Sequence, residues 1–256
     1  MKKKLLIYIL VLIFLYFVGC INEMEMLEDN STLKAGNERL FMPDSLRDLI
    51  EYDRNSMDQY SIRKLENILE LLYTFPETNK MLNSLKDGLK VKMEITGGSS
   101  SLGEAWYDPI YPPKIGFLRE DCITMENVLH ELLHYYAMYN YVPYRDGVIP
   151  ACEEYEVRVL TDVIMQKYCA NCDFKYQGMS PDEGLFYQPY IDWINNLINT
   201  SSFDKFLFGI EFKKYGTICI MNLQYNDKTT HDILQINDLN YYIPLLLETF
   251  LFNFKR

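Results

Sequence analysis

Two of the three histidines in this 256-residue chain, His130 and His134, lie four positions apart, and Glu131 directly follows the first. On an α-helix, residues i and i+4 lie on one face about a turn apart, so the two imidazole rings would stand side by side. Such a pair can bind one ion, and zinc favours imidazole nitrogens. Glu131 lies about 100° further round the helix, where its carboxylate could hold a metal-bound water and accept its proton. The alternative is a chance spacing on an amphipathic helix.

Two helices are needed to position these groups. Apolar residues recur between positions 128 and 133, and Thr124 is a suitable N-cap for a helix that carries the histidines. After a loop with prolines and a glycine, residues 151–168 are predicted to form a second helix. This second helix contains three further acidic candidates for metal binding, Glu153, Glu154 and Glu156.

The other elements predict an α+β fold. Further helices are predicted at 61–73, 77–86, 189–198, 202–214 and 240–252. Ser61 is expected to cap the first of these, and Gly216 to end the helix that begins at Ser202. Strands are predicted at 89–95, 103–107 and 115–118, with prolines beside the last two that favour a sheet edge. The order of helices, a small sheet and then helices is typical of α+β proteins.

The segment His130-Glu131-Leu132-Leu133-His134 resembles the H-E-x-x-H signature of the zincin metallopeptidases. This resemblance implies a zincin-like fold, with a small mixed sheet packed on the active-site helix and further helices around it. It also implies a catalytic Zn²⁺ with three protein ligands and a water. The metzincin branch is excluded, because residues 135–142 contain neither the histidine nor the glycine that its longer motif requires.

The gluzincin branch takes its third metal ligand from a glutamate on a later helix. Glu154 follows His134 by twenty residues, a spacing similar to that of thermolysin-like enzymes, so the resemblance implies Glu154 as the ligand. Glu156 is the second candidate and Glu153 the third. The alternative is that all three carboxylates form a solvated acidic face.

The resemblance suggests roles for other residues too. Thermolysin-like enzymes place an aspartate four residues after the ligand glutamate to hold a histidine. This chain has Arg158 there, and Asp162, a turn later, is rotated away. His231 corresponds to a late histidine that stabilises the transition state, although its polar neighbours also fit a surface turn. The strand at 103–107 lies where zincins have the edge strand that pairs with an extended substrate. The alternative is an ordinary core strand in which Trp106 fills space in the core.

The first twenty residues have the pattern of a signal peptide: lysines at 2–4, an apolar run, then Gly19-Cys20. The ending resembles the lipobox of bacterial lipoproteins, which implies lipidation at Cys20. Residues 21–42 would then be a tether and 43–256 the metallohydrolase domain. The acidic stretch at 23–29 resembles export tags of surface lipoproteins, or is a solvated linker. The expected location is the cell envelope, lipid-anchored to a bacterial membrane, with the outer membrane favoured; an uncleaved transmembrane anchor is the alternative.

Charge and cysteines restrict the partners and the crosslinks. The net charge of −11 argues against nucleic acid as a partner, because its binding requires phosphate neutralisation. Cys169 and Cys172 form a C-x-x-C pair, for which a disulfide is the expectation in an exported protein. If the two site helices run antiparallel, Cys122 would instead come close enough to bridge to one of them.

Together these observations predict a lipid-anchored zinc metallopeptidase that hydrolyses peptides or proteins, with Glu131 as the catalytic base. Two alternatives remain open. One is a surface-exposed binding lipoprotein with a non-catalytic metal site. The other is a zinc amidase that acts on a non-peptide amide.

Overall fold

Helices surround a small sheet in the computed structural model of the protein, which describes residues 44–85, 88–97, 104–140, 151–169, 172, 174–199, 205–226 and 245–250. These residues belong to one compact unit, Leu40–Arg256. The predicted signal peptide, the lipidation site Cys20, the tether and His231 lie outside the described residues. No helix in the described part of the chain is long and apolar enough to cross a membrane.

The helices and strands follow one another in the order expected of an α+β chain. The α-helices are α1 Asp44–Arg47, α2 Gln59–Thr74, α3 Pro76–Leu85, α4 Met125–Asn140, α5 Ala151–Tyr168, α6 Tyr187–Asn199, α7 Lys205–Asn226 and α8 Leu245–Glu248. The strands are β1 Ile50–Tyr52, β2 Val91–Ile95, β3 Ala105–Asp108 and β4 Lys114–Phe117. Short 3-10 helices lie at Glu120–Cys122 and Pro181–Phe186.

The sheet is mixed, with the strand order β1-β2-β4-β3. β2 pairs in parallel with β1 and β4, whereas β3 pairs antiparallel to β4 at the edge, with Trp106 opposite Gly116. The predicted α+β class and the small mixed sheet are therefore confirmed, and the strand near 103–107 does lie at a sheet edge. β1 was not predicted, because three residues are too few for an alternating pattern to be read.

The core joins the sheet to α2, α3, α4 and α5. Leu65, Leu69 and Leu72 lie on one face of α2 and are fully buried, as their helical spacing predicts. Met93 of β2 and Ile115 of β4 are paired in register and buried in the same core. α4 packs against β3 on one side and against α5 on another, so the helix with the two histidines is enclosed by tertiary contacts.

Two residues that were predicted to mark a helix end, Ser61 and Gly216, do not do so. α2 begins earlier than Ser61, because the Asp58 side chain accepts a hydrogen bond from the Ser61 N–H and caps the helix instead. α7 does not end at Gly216 but continues to Asn226. A glycine inside a helix costs only about 1 kcal/mol, and buried Tyr215 and Cys219, on either side of Gly216, pack into the core.

The cysteine prediction was wrong in one respect. Cys169 and Cys172 form the disulfide that an exported C-x-x-C pair suggests. The proposed bridge from Cys122 to either of them does not form; Cys122 is buried with a free thiol. Its Sγ lies 3.6 Å from an Asp121 carboxylate oxygen. Because Cys169 has its partner three residues along the chain, it has no sulfur available for Cys122.

The edge strand depends on a glycine opposite its tryptophan. A Cβ atom added to Gly116 would overlap the indole of Trp106. We expect Gly116→Ala to lower the free energy of unfolding by about 1–3 kcal/mol, because the ring would have to move out of its packed position. Gly209→Ala is the matched control, since a Cβ there meets open space in α7. It should be neutral or stabilising by up to about 1 kcal/mol. Urea unfolding measures both, and equal stability of the two variants would contradict the packing argument.

Candidate metal centre

The two histidines and Glu131 are buried in the middle of α4. The exposed fractions are 7% for His130, 5% for Glu131 and 3% for His134. The helix begins after Thr124, whose Oγ1 accepts a hydrogen bond from the Asn127 N–H, as predicted for an N-cap. Burial of three ionisable side chains on one helix is costly unless they have partners.

α5 supplies a carboxylate that meets both imidazoles. The Nε2 atoms of His130 and His134 lie 3.0 Å apart. Glu154 Oε2 lies 2.9 Å from His134 Nε2, and Glu154 Oε1 lies 3.5 Å from His130 Nε2. The structure thus brings together the three residues that the sequence suggested as metal ligands. About a quarter of the Glu154 side chain (26%) remains exposed, which leaves the cluster open on one side.

The arrangement suits a metal ion. Two imidazole nitrogens and a carboxylate oxygen, all within 4.8 Å of one another, could hold one. In a tetrahedral zinc site with bonds of about 2.0–2.1 Å, neighbouring ligand atoms lie about 3.3 Å apart. The separation of 3.0 Å between the two Nε2 atoms and that of 2.9 Å between His134 Nε2 and Glu154 Oε2 are close to that value, while His130 Nε2 lies 3.5 Å from the other oxygen, Oε1. A small opening of the cluster would admit the ion.

Electrostatics divide the carboxylates of the site into two kinds. Burial raises the pKa of Glu154, but Arg158 and the two histidines outweigh it and hold the pKa well below its ordinary value. Burial lowers the pKa of His134, but Glu154 raises it more, so that the net shift is upward. Burial also raises the pKa of Glu131, and the charges of His130 and His134 offset this only in part. These surroundings favour the ionised form of Glu154 and the neutral form of Glu131.

The two other acidic candidates on α5 do not belong to the cluster of His130, His134 and Glu154. Glu156 is fully buried, and its Oε1 accepts a hydrogen bond of 2.9 Å from the backbone N–H of Leu247 at α8. Burial and the neighbouring Glu156 raise the pKa of Glu153 to about 8, although His134 partly lowers it. Successive helical residues point about 100° apart, so only one of this group can face the histidines. In the structure that residue is Glu154.

Arg158 and Asp162 have roles that the sequence did not reveal. Arg158 Nε donates to Glu154 Oε1 at 2.7 Å, one turn along α5. The signal for this pair was present, since opposite charges at i and i+4 meet on a helix. Asp162 does not contact a histidine. Its carboxylate accepts from the backbone N–H groups of Gln177 and Gly178 and from the Tyr190 hydroxyl.

The second ring nitrogen of each histidine, Nδ1, lies in surroundings unlike those of most metal-ligating histidines. A ligating histidine usually donates its other N–H to an acceptor. Among the described residues, His130 Nδ1 and His134 Nδ1 are buried without a hydrogen-bond partner. The polar neighbours of these two rings therefore lie on the Nε2 side, where Glu154 is.

In comparisons with known proteins, no protein-family model, curated protein or solved structure matches this chain. What the protein does is therefore inferred from the geometry of His130, His134 and Glu154.

Metal content can separate the acidic residues of α5. We expect Glu154→Ala to bind less than one zinc ion per chain, because it removes a ligand that lies 2.9 Å from His134 Nε2. Glu156→Gln is the matched control, since it alters a buried carboxylate of the same helix that bonds to Leu247. It should keep the zinc stoichiometry of the wild type. The measurement is elemental analysis of the full-length proteins purified in detergent. Loss of metal from Glu156→Gln together with retention by Glu154→Ala would reverse the ligand assignment.

Proposed function

We propose that the protein is a zinc-dependent peptidase of gluzincin type. The observation that supports this most directly is the cluster of the buried His130 and His134 with the partly exposed Glu154. Glu131 lies on the same helix as both histidines, and their charges act on its carboxylate. In the H-E-x-x-H arrangement the glutamate beside the histidine ligands acts as the general base.

In the proposed mechanism the residues have separate tasks. His130, His134 and Glu154 hold the metal ion. A zinc ion bound there would polarise the scissile carbonyl and lower the pKa of water towards about 7. Glu131 accepts the proton of the attacking water and then donates it to the leaving amine.

The position of β3 favours an extended peptide as substrate. β3 is the last strand in the order β1-β2-β4-β3, so within the described sheet one of its edges has no strand beside it. It packs against α4, where the rings of Tyr107 and Tyr135 lie 6.0 Å apart, and Tyr135 follows His134 in the sequence. A free sheet edge can bind an extended chain through backbone hydrogen bonds. We therefore favour a peptide over a non-peptide amide.

We also propose that the domain is tethered to a bacterial membrane through lipid on Cys20, on the periplasmic or surface face of the envelope. The support is the leader pattern of residues 1–20, with its lysines, apolar run and Gly19-Cys20 ending. The Cys169–Cys172 disulfide fits an exported protein, since such bonds persist in oxidising compartments.

Glu131→Gln tests the proposed catalysis. The variant should retain zinc, because His130, His134 and Glu154 are unchanged. Cleavage of a broad peptide library should fall by about 10²–10⁴-fold, because an amide cannot accept the proton of water. The measurement pairs zinc content with peptide cleavage by the same full-length preparation.

The control is Gln188→Glu, which makes the reverse substitution of glutamine by glutamate. Gln188 lies on α6 and bonds to Asp192 at the surface, remote from the cluster, so the cleavage rate should stay at the wild-type level. A wild-type protein that binds zinc but cleaves no peptide would favour the binding lipoprotein or the amidase. A Glu131→Gln variant as active as the wild type would remove Glu131 from the mechanism.

Cys20→Ser tests the anchor. Without the cysteine the acyl chains cannot be attached, so the protein should no longer be processed to a lipidated form that labels with a fatty-acid analogue. The expected result is loss of labelling and release from the membrane fraction after a carbonate wash. A variant that stays in the washed membranes would instead indicate an uncleaved transmembrane segment.

A further inference from the structure

We propose that Arg158 is a positioning residue that holds Glu154 in the orientation needed for metal binding. The inference rests on the proposed metal site and goes beyond it, because Arg158 itself is not a ligand. Its basis is the division of the Glu154 carboxylate between two neighbours. Oε1 accepts from Arg158 Nε at 2.7 Å and lies further, 3.5 Å, from His130 Nε2, while Oε2 lies 2.9 Å from His134 Nε2.

This division determines how Glu154 can bind a metal ion. With one oxygen held by the guanidinium, the other remains for the ion, and the carboxylate cannot rotate without losing an ion pair. Hydrogen bonds to charged groups are stronger than neutral ones, and such outer partners orient ligands and tune affinity. Arg158 lies one turn after Glu154 on α5, so the helix itself sets their separation.

Arg158 is in turn fixed at its other end. Its Nη1 donates to the backbone carbonyl of Gln177 at 3.1 Å. The N–H of Gln177 donates to Asp162 Oδ1 at 2.8 Å, and the Tyr190 hydroxyl donates to Asp162 Oδ2 at 2.6 Å. A continuous series of hydrogen bonds therefore runs from α6 through Asp162 and the 177–178 backbone to Arg158. The guanidinium reaches Glu154 from a fixed position.

The shape of the guanidinium matters as much as its charge. Two different nitrogens of Arg158 serve two acceptors, the Glu154 carboxylate and the Gln177 carbonyl. A lysine has a single nitrogen on a flexible stem and cannot reproduce this planar fork. Arg158→Lys should therefore keep the positive charge but orient the Glu154 carboxylate less well. Arg158→Met should lose both the charge and the orienting hydrogen bond.

The experiment measures zinc affinity of the full-length protein in detergent, by competition with a chromophoric chelator. We expect Arg158→Met to raise the zinc Kd by about 10–100-fold, the usual effect of losing a group that orients a ligand. Arg158→Lys should recover part of the affinity. The visible spectrum of the Co²⁺-loaded protein should change in both variants, because the ligand geometry changes.

Lys167→Met is the matched control. Lys167 also lies on α5 and pairs with a buried carboxylate, Glu77, at 2.5 Å, but Glu77 is not part of the metal cluster. This variant should lose stability and keep the wild-type zinc Kd and Co²⁺ spectrum. An equal loss of affinity in Lys167→Met and Arg158→Met would mean that Arg158 acts only through the stability of α5, and would overturn the inference.

The remaining outcomes separate this inference from the proposed function. If Glu154→Ala loses zinc but Arg158→Met binds it with the wild-type Kd, the metal site stands and the role of Arg158 is rejected. If the wild type binds no zinc, both fall together. Should Arg158→Met fail to fold, Arg158→Lys decides the matter: a raised Kd supports the role, and a wild-type Kd with an unchanged Co²⁺ spectrum rejects it.

Discussion

The contact between α4 and α5 buries ionisable groups, and the rest of the site depends on how their charges are balanced. His130 and His134 come from α4, and Glu154 meets both from α5. Removing such groups from water costs several kcal/mol each unless they find partners. Arg158 supplies a compensating positive charge within the same cluster. The four side chains therefore form one connected group where the two helices meet.

The helix with the histidines could be predicted because its chemistry repeats with the period of the helix. His130 and His134 are four residues apart, and the apolar residues between positions 128 and 133 recur with helical spacing. The choice among Glu153, Glu154 and Glu156 could not be made so firmly. It depends on how α5 is rotated about its axis, which is set by groups distant in sequence, such as the Leu247 N–H that Glu156 binds. The Arg158–Glu154 pair was readable from its spacing, but an isolated i, i+4 pair does not reveal that it lies beside a metal cluster.

The fold was predictable to a similar extent. The strands with alternating apolar residues and the helix at Ala151–Tyr168 were found because local patterns specify them. β1 was not predicted because it is a strand only through its pairing with β2, in which Ile50 lies opposite Val91. The length of α7 was underestimated because a glycine is a weak stop signal once the surrounding residues are buried. In each case the missing information lay in a contact between distant parts of the chain.

The hydrogen bond between Glu156 and Leu247 joins groups that are 91 positions apart. It has a consequence for the order of assembly, because a contact of such long range can form only after the chain between its ends exists. Leu246, Leu247 and Phe250 are buried in the core, so the last described segment also covers apolar surface there. A nascent chain that stops before α8 lacks this bond on the very helix that bears Glu154. The helix that bears Glu154 thus acquires this part of its packing only after α8 has been synthesised.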